Sequence, residues 1–219
     1  MGAKQTNIPT TASVAIAGDG GRLYAPAASR NADALLGAIE TFVPAAGRAL
    51  EIASGTGEHI VRYASKFPDV SWQPTDIDDE RLISIQSWAD HSGCENIRAP
   101  MMLDATKAGW ADGQNGFDLI LLSNLLHLIS QQKAEILMSE AARALAPGGV
   151  FFVYGPFLRG EEFASEGDEK FHHSLKAADP QIGYKPFQNV QEFMENQGLR
   201  LIDPIKMPAN NLVLAARKI

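Results

Sequence analysis

The run Leu50-Glu51-Ile52-Ala53-Ser54-Gly55-Thr56-Gly57-Glu58-His59 constrains the fold of this 219-residue chain more than any other stretch. An apolar strand pattern runs into a Gly-x-Gly turn, and a helix pattern starts directly after it. Glycine has no Cβ, so such a turn lets the backbone approach a ligand closely. The helix that follows presents free N–H groups and a partial positive charge. Strand, turn and helix N-terminus together predict a nucleotide-type pocket at the carboxyl edge of a parallel sheet.

The rest of the chain has the rhythm such a sheet needs, with helices alternating with strands. Helical spacing covers residues 29–42, 58–67, 78–89, 130–145 and 190–197. Strands are expected at 49–53, 70–75, 97–103, 117–123 and 150–154, the fourth as a nearly continuous apolar run suited to a sheet centre. Two closing strands, 199–207 and 212–217, flank Pro208-Ala209-Asn210-Asn211, a turn that implies an antiparallel hairpin. Between the fifth strand and the last helix lie residues 158–186, polar and irregular, with Phe163 and Phe171 as scattered anchors. A connection that long suits a lid or a substrate wall. The fold class is therefore α/β, with a seven-stranded, mostly parallel, Rossmann-like sheet closed by an antiparallel C-terminal hairpin. Residues 1–21, small, polar and Gly-rich, are expected to be a flexible leader, and 22–219 a single domain.

Composition narrows the function classes. The formal net charge of −7 speaks against a broad nucleic-acid surface. No apolar run reaches membrane-spanning length, and the N-terminus lacks a signal-peptide layout. The single cysteine, Cys94, permits no intrachain disulfide and fits a reducing, cytoplasmic setting. The adjacent His172 and His173 lack Cys or acidic partners at ligand spacing, so no metal is expected. The oligomeric state is not fixed by the sequence.

Which nucleotide the pocket takes depends on two details. A dinucleotide fingerprint needs a third glycine, and Ile60 stands at that position. An acid, Glu51, precedes the turn by four residues instead. The pattern E-x-x-x-G-x-G resembles the first motif of class I methyltransferases, which bind S-adenosylmethionine. That cofactor has no pyrophosphate to demand the third glycine, and it carries an ammonium and a sulfonium that an acid would favour. More of the chain points the same way: Tyr24-Ala-Pro-Ala-Ala-Ser-Arg-Asn31, Trp72-Gln-Pro-Thr-Asp-Ile-Asp78, Tyr154-Gly-Pro156 and Met207-Pro-Ala-Asn-Asn-Leu212. With the glycine motif, these resemble the methyltransferase-like protein 26 family from Arg22 to the C-terminus. The resemblance implies the class I S-adenosylmethionine fold and no particular substrate.

The candidate site residues follow from that reading. Asp76, at the end of the second strand, is placed to accept from ribose hydroxyls, with Asp78 expected to cap the next helix. Asp104, after the third strand, matches an acid that accepts from the adenine amino group in related folds, and it also suits a plain turn. Glu51, Ser54, Gly55, Gly57, His59, Ile77, Ala105 and Ser123 complete the expected cofactor contacts, with Tyr24 and Arg30 as a cover. Asn31, Tyr154, Asn210 and Asn211 are expected to face the acceptor. His127 is the candidate base, since its pKa lies near neutrality, with Asn124 beside it. The Asn124-Leu-Leu-His127 segment departs from the Asn/Asp-Pro-Pro-aromatic pattern of enzymes that methylate amines of bases or glutamine. The expected activity is methyl transfer to a small molecule; the alternative is a cofactor-binding regulatory module without turnover. An NAD-dependent dehydrogenase lacks its third glycine.

Overall fold

The computed structural model describes residues 13–219. Two short strands, β1 (Ile16–Ala17) and β2 (Leu23–Tyr24), pair as an antiparallel hairpin, so the boundary expected at Arg22 falls inside a hairpin. The chain then runs α1 (Pro26–Ile39), β3 (Gly47–Ile52), α2 (Glu58–Lys66), β4 (Val70–Asp76), α3 (Asp79–Ser92) and β5 (Met101–Met102). It continues through β6 (Phe117–Ser123), α4 (Gln131–Ala144), β7 (Leu145–Gly155), α5 (Glu166–Ala178), α6 (Phe187–Asn196), β8 (Leu199–Lys206) and β9 (Leu212–Lys218).

Seven strands form one sheet in the order β5-β4-β3-β6-β7-β9-β8, with β9 antiparallel to both neighbours and the other pairs parallel. The order reverses direction between β3 and β6, and in open α/β sheets a ligand crevice opens at such a point, beyond the carboxyl ends of the strands. Helices cover both faces. Leu119 and Leu121 of β6 pack with α1, α2 and α3 through Leu35, Ile39, Ile60 and Ile85. Ile120 and Leu122 face the other way, against α4 and α6 through Leu137, Met138, Val190 and Met194. Alternate side chains of a strand point to opposite faces, which is why β6 is apolar without alternation from Leu119 to Leu122.

Three elements depart from the sequence expectation, each for a local reason. Helix α1 begins at Pro26, three residues before the expected start, because proline's fixed φ and missing N–H suit the first helical position. Ser29 is therefore inside the helix and not its cap. The strand expected at 97–103 is broken: an isolated bridge pairs Ile97 with Trp72, and β5 holds only Met101–Met102. Pro100 lies between them and has no N–H to donate. The irregular connection expected at 158–186 contains a regular helix, α5. Ser165 caps it by accepting from the Asp168 N–H, and His172 and Leu175 form its buried stripe. This Ser-x-x-Asp start is the signal that was missed.

Gly57 shows how tightly the glycine turn is held. It stands in the left-handed region at φ 94°, and a Cβ there would lie 2.9 Å from the Ile85 Cα of α3. The glycine therefore serves close helix packing and not ligand approach. Gly57→Ala combines backbone strain with a clash against main chain, so a loss of roughly 3 kcal/mol is expected in urea unfolding. A loss below about 1 kcal/mol, no more than a backbone preference alone would cost, would show that α3 can withdraw.

Candidate functional site

A cavity of about 850 Å³ opens at the carboxyl edge of the sheet, at the upper end of the size range of small-molecule sites. Its floor and one side come from four strand ends: residues 51–56 after β3, 76–78 after β4, 103–106 after β5 and 123–125 after β6. The opposite side is residues 25–28 with Arg30, joined by Ser13 and Val14 ahead of the hairpin. Leu128, Ile129 and Lys133 close one end.

The turn after β3 is built for close approach. Gly55 stands at φ 61°, and a Cβ there would meet only the carbonyl of Ala53, at 4.0 Å, so its outer side is open. Ala53 (φ 54°) and Asn124 (φ 56°) follow the two neighbouring central strands and also adopt the left-handed conformation. Non-glycine residues held there carry backbone strain, and such strain clusters at functional sites. Ser54 fixes the turn against β4: its N–H donates to the Thr75 carbonyl at 2.7 Å, and its hydroxyl accepts from the Thr75 N–H at 3.2 Å.

Each acid in the wall has a distinct setting. Asp76 accepts from the N–H groups of Gly55 (2.9 Å), Ile77 (2.8 Å) and Asp78 (3.1 Å). Three of its roughly four lone-pair sites are thus used, which leaves one for a ligand. Burial raises its pKa, and those hydrogen bonds oppose the rise. Asp78 caps α3 by accepting from Glu80 and Arg81, as the sequence leads one to expect. Asp104 accepts from the N–H and hydroxyl of Thr106 and lies 3.4 Å from Lys107, so it closes its own turn while lining the cavity. Glu51 is 2 % exposed, and its Oε2 has no partner. Burial pushes its carboxyl up to about 8, with the charge of Asp76 adding to the rise and a Ser54 hydrogen bond opposing it. A buried, unpaired carboxyl on a cavity wall is matched by a ligand cation. His59 also lines the cavity, stacked on Tyr63, and its Nδ1 has no partner. Burial lowers its pKa to about 4, so its imidazole is neutral. Ile77 and Ala105 supply apolar wall, and Ser123 and Asn124 end the floor.

Several expected site residues lie elsewhere. His127 does not line the cavity. It is the middle residue of a 3₁₀ turn, Leu126–Leu128, and the three-residue repeat of that turn sends Leu125 and Leu128 to the cavity and the imidazole away from it. The ring packs against Phe171 and Tyr184, and burial with the nearby charge of Lys185 lowers its pKa to about 3. It is a neutral scaffold histidine, and its expected role as base is corrected. Tyr24 is not the cover either: its ring packs edge-on against Trp88, 5.1 Å away, and residues 25–30 form the wall instead. Gly57 faces α3, as described above.

Asn31, Tyr154, Asn210 and Asn211 are likewise absent from the cavity wall. Behind it, Asn211 Nδ2 donates to the Tyr154 hydroxyl at 2.9 Å, and Asn31 is buried with its Oδ1 unpaired. Asn210 Nδ2 reaches Asp168 of α5 at 3.1 Å, while its carbonyl accepts from Arg159. The closing hairpin thus pins the 158–186 segment and not a ligand. Of the residues expected to cover the cofactor, face the acceptor or act as base, Arg30 and Asn124 line the cavity.

The sequence reading also missed two residues that hold this edge together. Glu58 accepts three hydrogen bonds, from Ala25 and Ser29 on one side of the cavity and from Thr56 on the other. Lys185, 6 % exposed, donates to the carbonyls of Leu126 (2.5 Å) and Ile129 (2.8 Å) and so ties the end of the 158–186 segment under the 125–129 turn. Burial lowers the pKa of its amine to about 8. A charged residue directly after a glycine turn was a signal for Glu58; nothing local in the sequence marks Lys185.

Comparison with solved structures finds a similar fold in methyltransferases. A candidate O-methyltransferase of Nostoc punctiforme superposes with a TM-score of 0.76 at 19% identity, over 87% of this chain and 56% of that one. An O-methyltransferase family protein of Burkholderia thailandensis gives 0.76 at 13% identity, over 88% and 57%. Human N-acetylserotonin methyltransferase in complex with S-adenosylmethionine gives 0.69 at 18% identity, over 88% and 52%. The chain spans a little over half the length of these proteins and shares their Rossmann-like fold. A family model described as "Protein of unknown function (DUF938)" matches residues 22–218, nearly the whole chain, and the chain belongs to that family.

Proposed function

We propose that the chain is an S-adenosylmethionine-dependent methyltransferase acting on a small-molecule acceptor. The observation that carries this reading is the arrangement of one cavity: an open Gly55 turn, an unpaired buried Glu51 carboxyl, Asp76 at the end of β4 and Asp104 just after its neighbour β5. Those features fit the cofactor piece by piece. Glu51 would face its ammonium, Asp76 a ribose hydroxyl, Asp104 the adenine amino group, and Ile77 with Ala105 the faces of the base. Arg30 would meet its carboxylate. The similarity in fold to methyltransferases, and the sequence resemblance to the methyltransferase-like protein 26 family, support the same reading.

When bound, the cofactor supplies an electrophilic methyl group on a sulfonium. The chain's part is then to hold an acceptor in line and keep water out, which can supply much of the acceleration, of order 7–11 kcal/mol. Leu125, Leu128 and Ile129 offer apolar surface for an acceptor, and Asn124 offers an amide beside them. The net charge of −7 favours a small acceptor over nucleic acid, and a cytoplasmic setting goes with it. No helix among the described residues is long and apolar enough to cross a membrane.

One observation favours the alternative, a cofactor-binding module without turnover: His127, the expected base, is turned out of the cavity. Isothermal titration with S-adenosylhomocysteine separates these readings from all others. Micromolar binding is expected, and no heat at millimolar ligand sinks both. Transfer of a labelled methyl group to any member of a metabolite panel, lost in Asp76→Ala, then selects the enzyme. Binding without transfer across the panel selects the module.

A further inference from the structure

Glu58 is 8 % exposed and does not line the cavity, yet its carboxylate joins the two sides of it. Oε2 accepts from the Ala25 N–H at 2.6 Å and from the Thr56 hydroxyl at 2.9 Å. Oε1 accepts from the Ser29 hydroxyl at 2.9 Å. Ala25 and Ser29 bracket the segment that forms the outer wall; Thr56 belongs to the glycine turn opposite. The same carboxylate takes the N–H of Ala25, the N-cap residue of α1, whose own side chain makes no cap. A second bridge runs in parallel. Ser84 of α3 accepts from the Leu23 N–H at 2.8 Å and donates to the Thr56 carbonyl at 2.7 Å, and Trp88 Nε1 donates to the Leu23 carbonyl at 2.9 Å. Both bridges end on Thr56, between the two glycines.

We propose that Glu58 is a positioning residue that couples the outer wall, residues 25–30, to the Gly55–Gly57 turn, so that wall and turn seat the cofactor as one unit. This rests on the cofactor reading above. A charged acceptor holding three donors from two separate segments cannot lose one segment without leaving a buried carboxylate underused, so the two segments hold or release together. A ligand that touches both then draws on a coupling free energy, which typically amounts to a 5–150-fold change in affinity. Arg30 follows Ser29 on the same wall, so its place at the cavity also depends on this carboxylate.

The test is S-adenosylhomocysteine affinity in four full-length proteins: wild type, Glu58→Gln, Ser29→Ala and the double variant. Wild-type binding comes first, and its failure sinks the cofactor reading rather than the coupling. Glu58→Gln keeps the shape but turns an amide toward donors, and a roughly tenfold weaker Kd is expected. Ser29→Ala is expected to cost about threefold, and the double variant no more than Glu58→Gln alone. The non-additivity ties the effect of Ser29 to Glu58, and urea unfolding of the ligand-free variants is the separating readout: a merely structural glutamate would lower stability and leave the affinity of the folded protein within twofold. A change of twofold or less in Glu58→Gln, or additive losses in the double variant, overturns the proposal. If Glu58→Gln does not fold, Ser29→Ala decides alone: more than twofold weakening supports the coupling, and none overturns it.

Discussion

Asp76→Ala is expected to weaken S-adenosylhomocysteine binding by roughly 100-fold, the largest single-residue effect in the cavity. Two losses combine. The remaining lone-pair site facing the cavity goes, and with it a charge-assisted contact worth about 1.5–3 kcal/mol. The N–H groups of Gly55, Ile77 and Asp78 also lose their common acceptor, so the glycine turn and the β4 end no longer share an anchor. Asp76→Asn separates these losses. Its amide oxygen can still accept from the main chain, so the turn survives, and a loss nearer tenfold is expected from the weaker ligand contact. Asp78→Ala is the control. It removes the cap of α3, at about 1 kcal/mol of stability, with affinity within about threefold of wild type. Equal affinity in Asp76→Ala and wild type would remove Asp76 from the ligand contact.

The contrast between Asp76 and His127 shows what the sequence could and could not reveal. Asp76 was legible because its position depends on local facts: a strand of seven residues, an end, and a parallel neighbour that ends in glycines. The same holds for Glu51, Asp78 and the succession of strands and helices along the chain, where an alternating or continuous apolar pattern fixes which face each residue takes. His127 depends on the pitch of a single 3₁₀ turn, and one residue of phase decides between cavity and core. Sequence spacing does not carry that phase. Asn210 and Asn211 were read as ligand groups because paired asparagines over a sheet edge need partners. Their partners are Asp168 and Tyr154, separated from them in sequence by 42 and 57 residues, and such pairings become visible only when α5 is in place. Glu58 and Lys185 were missed for the same reason: each earns its role through contacts with distant segments.

Binding of S-adenosylhomocysteine is expected to strengthen steeply between pH 6 and pH 8, and Glu51 sets the direction. In the protein without ligand, burial holds the Glu51 carboxyl protonated up to about pH 8. A ligand ammonium beside Oε2 favours the carboxylate and draws that pKa down. Below pH 8, binding must therefore expel the Glu51 proton, at a cost of about 1.4 kcal/mol for each pH unit. Affinity at pH 6 should fall toward 100-fold below its value at pH 8. Above pH 8 Glu51 is ionised with or without ligand, so this dependence should level off there. Stability of the ligand-free protein runs the other way. The folded state holds a proton that the unfolded state releases above about pH 4.5, so the Glu51 contribution is full below that pH and is lost as pH rises through about 8. Ligand-induced thermal stabilisation should then grow across the range in which the free protein weakens. Titrations at pH 7 in two buffers of different ionisation enthalpy should count about one proton released per ligand bound. Asp76 is shifted in the same direction, so the assignment needs Glu51→Gln, which should bind more weakly at pH 8 and lose most of the slope below it. An unchanged slope in Glu51→Gln would move the linkage to Asp76, and a flat wild-type profile would leave neither acid facing a ligand cation.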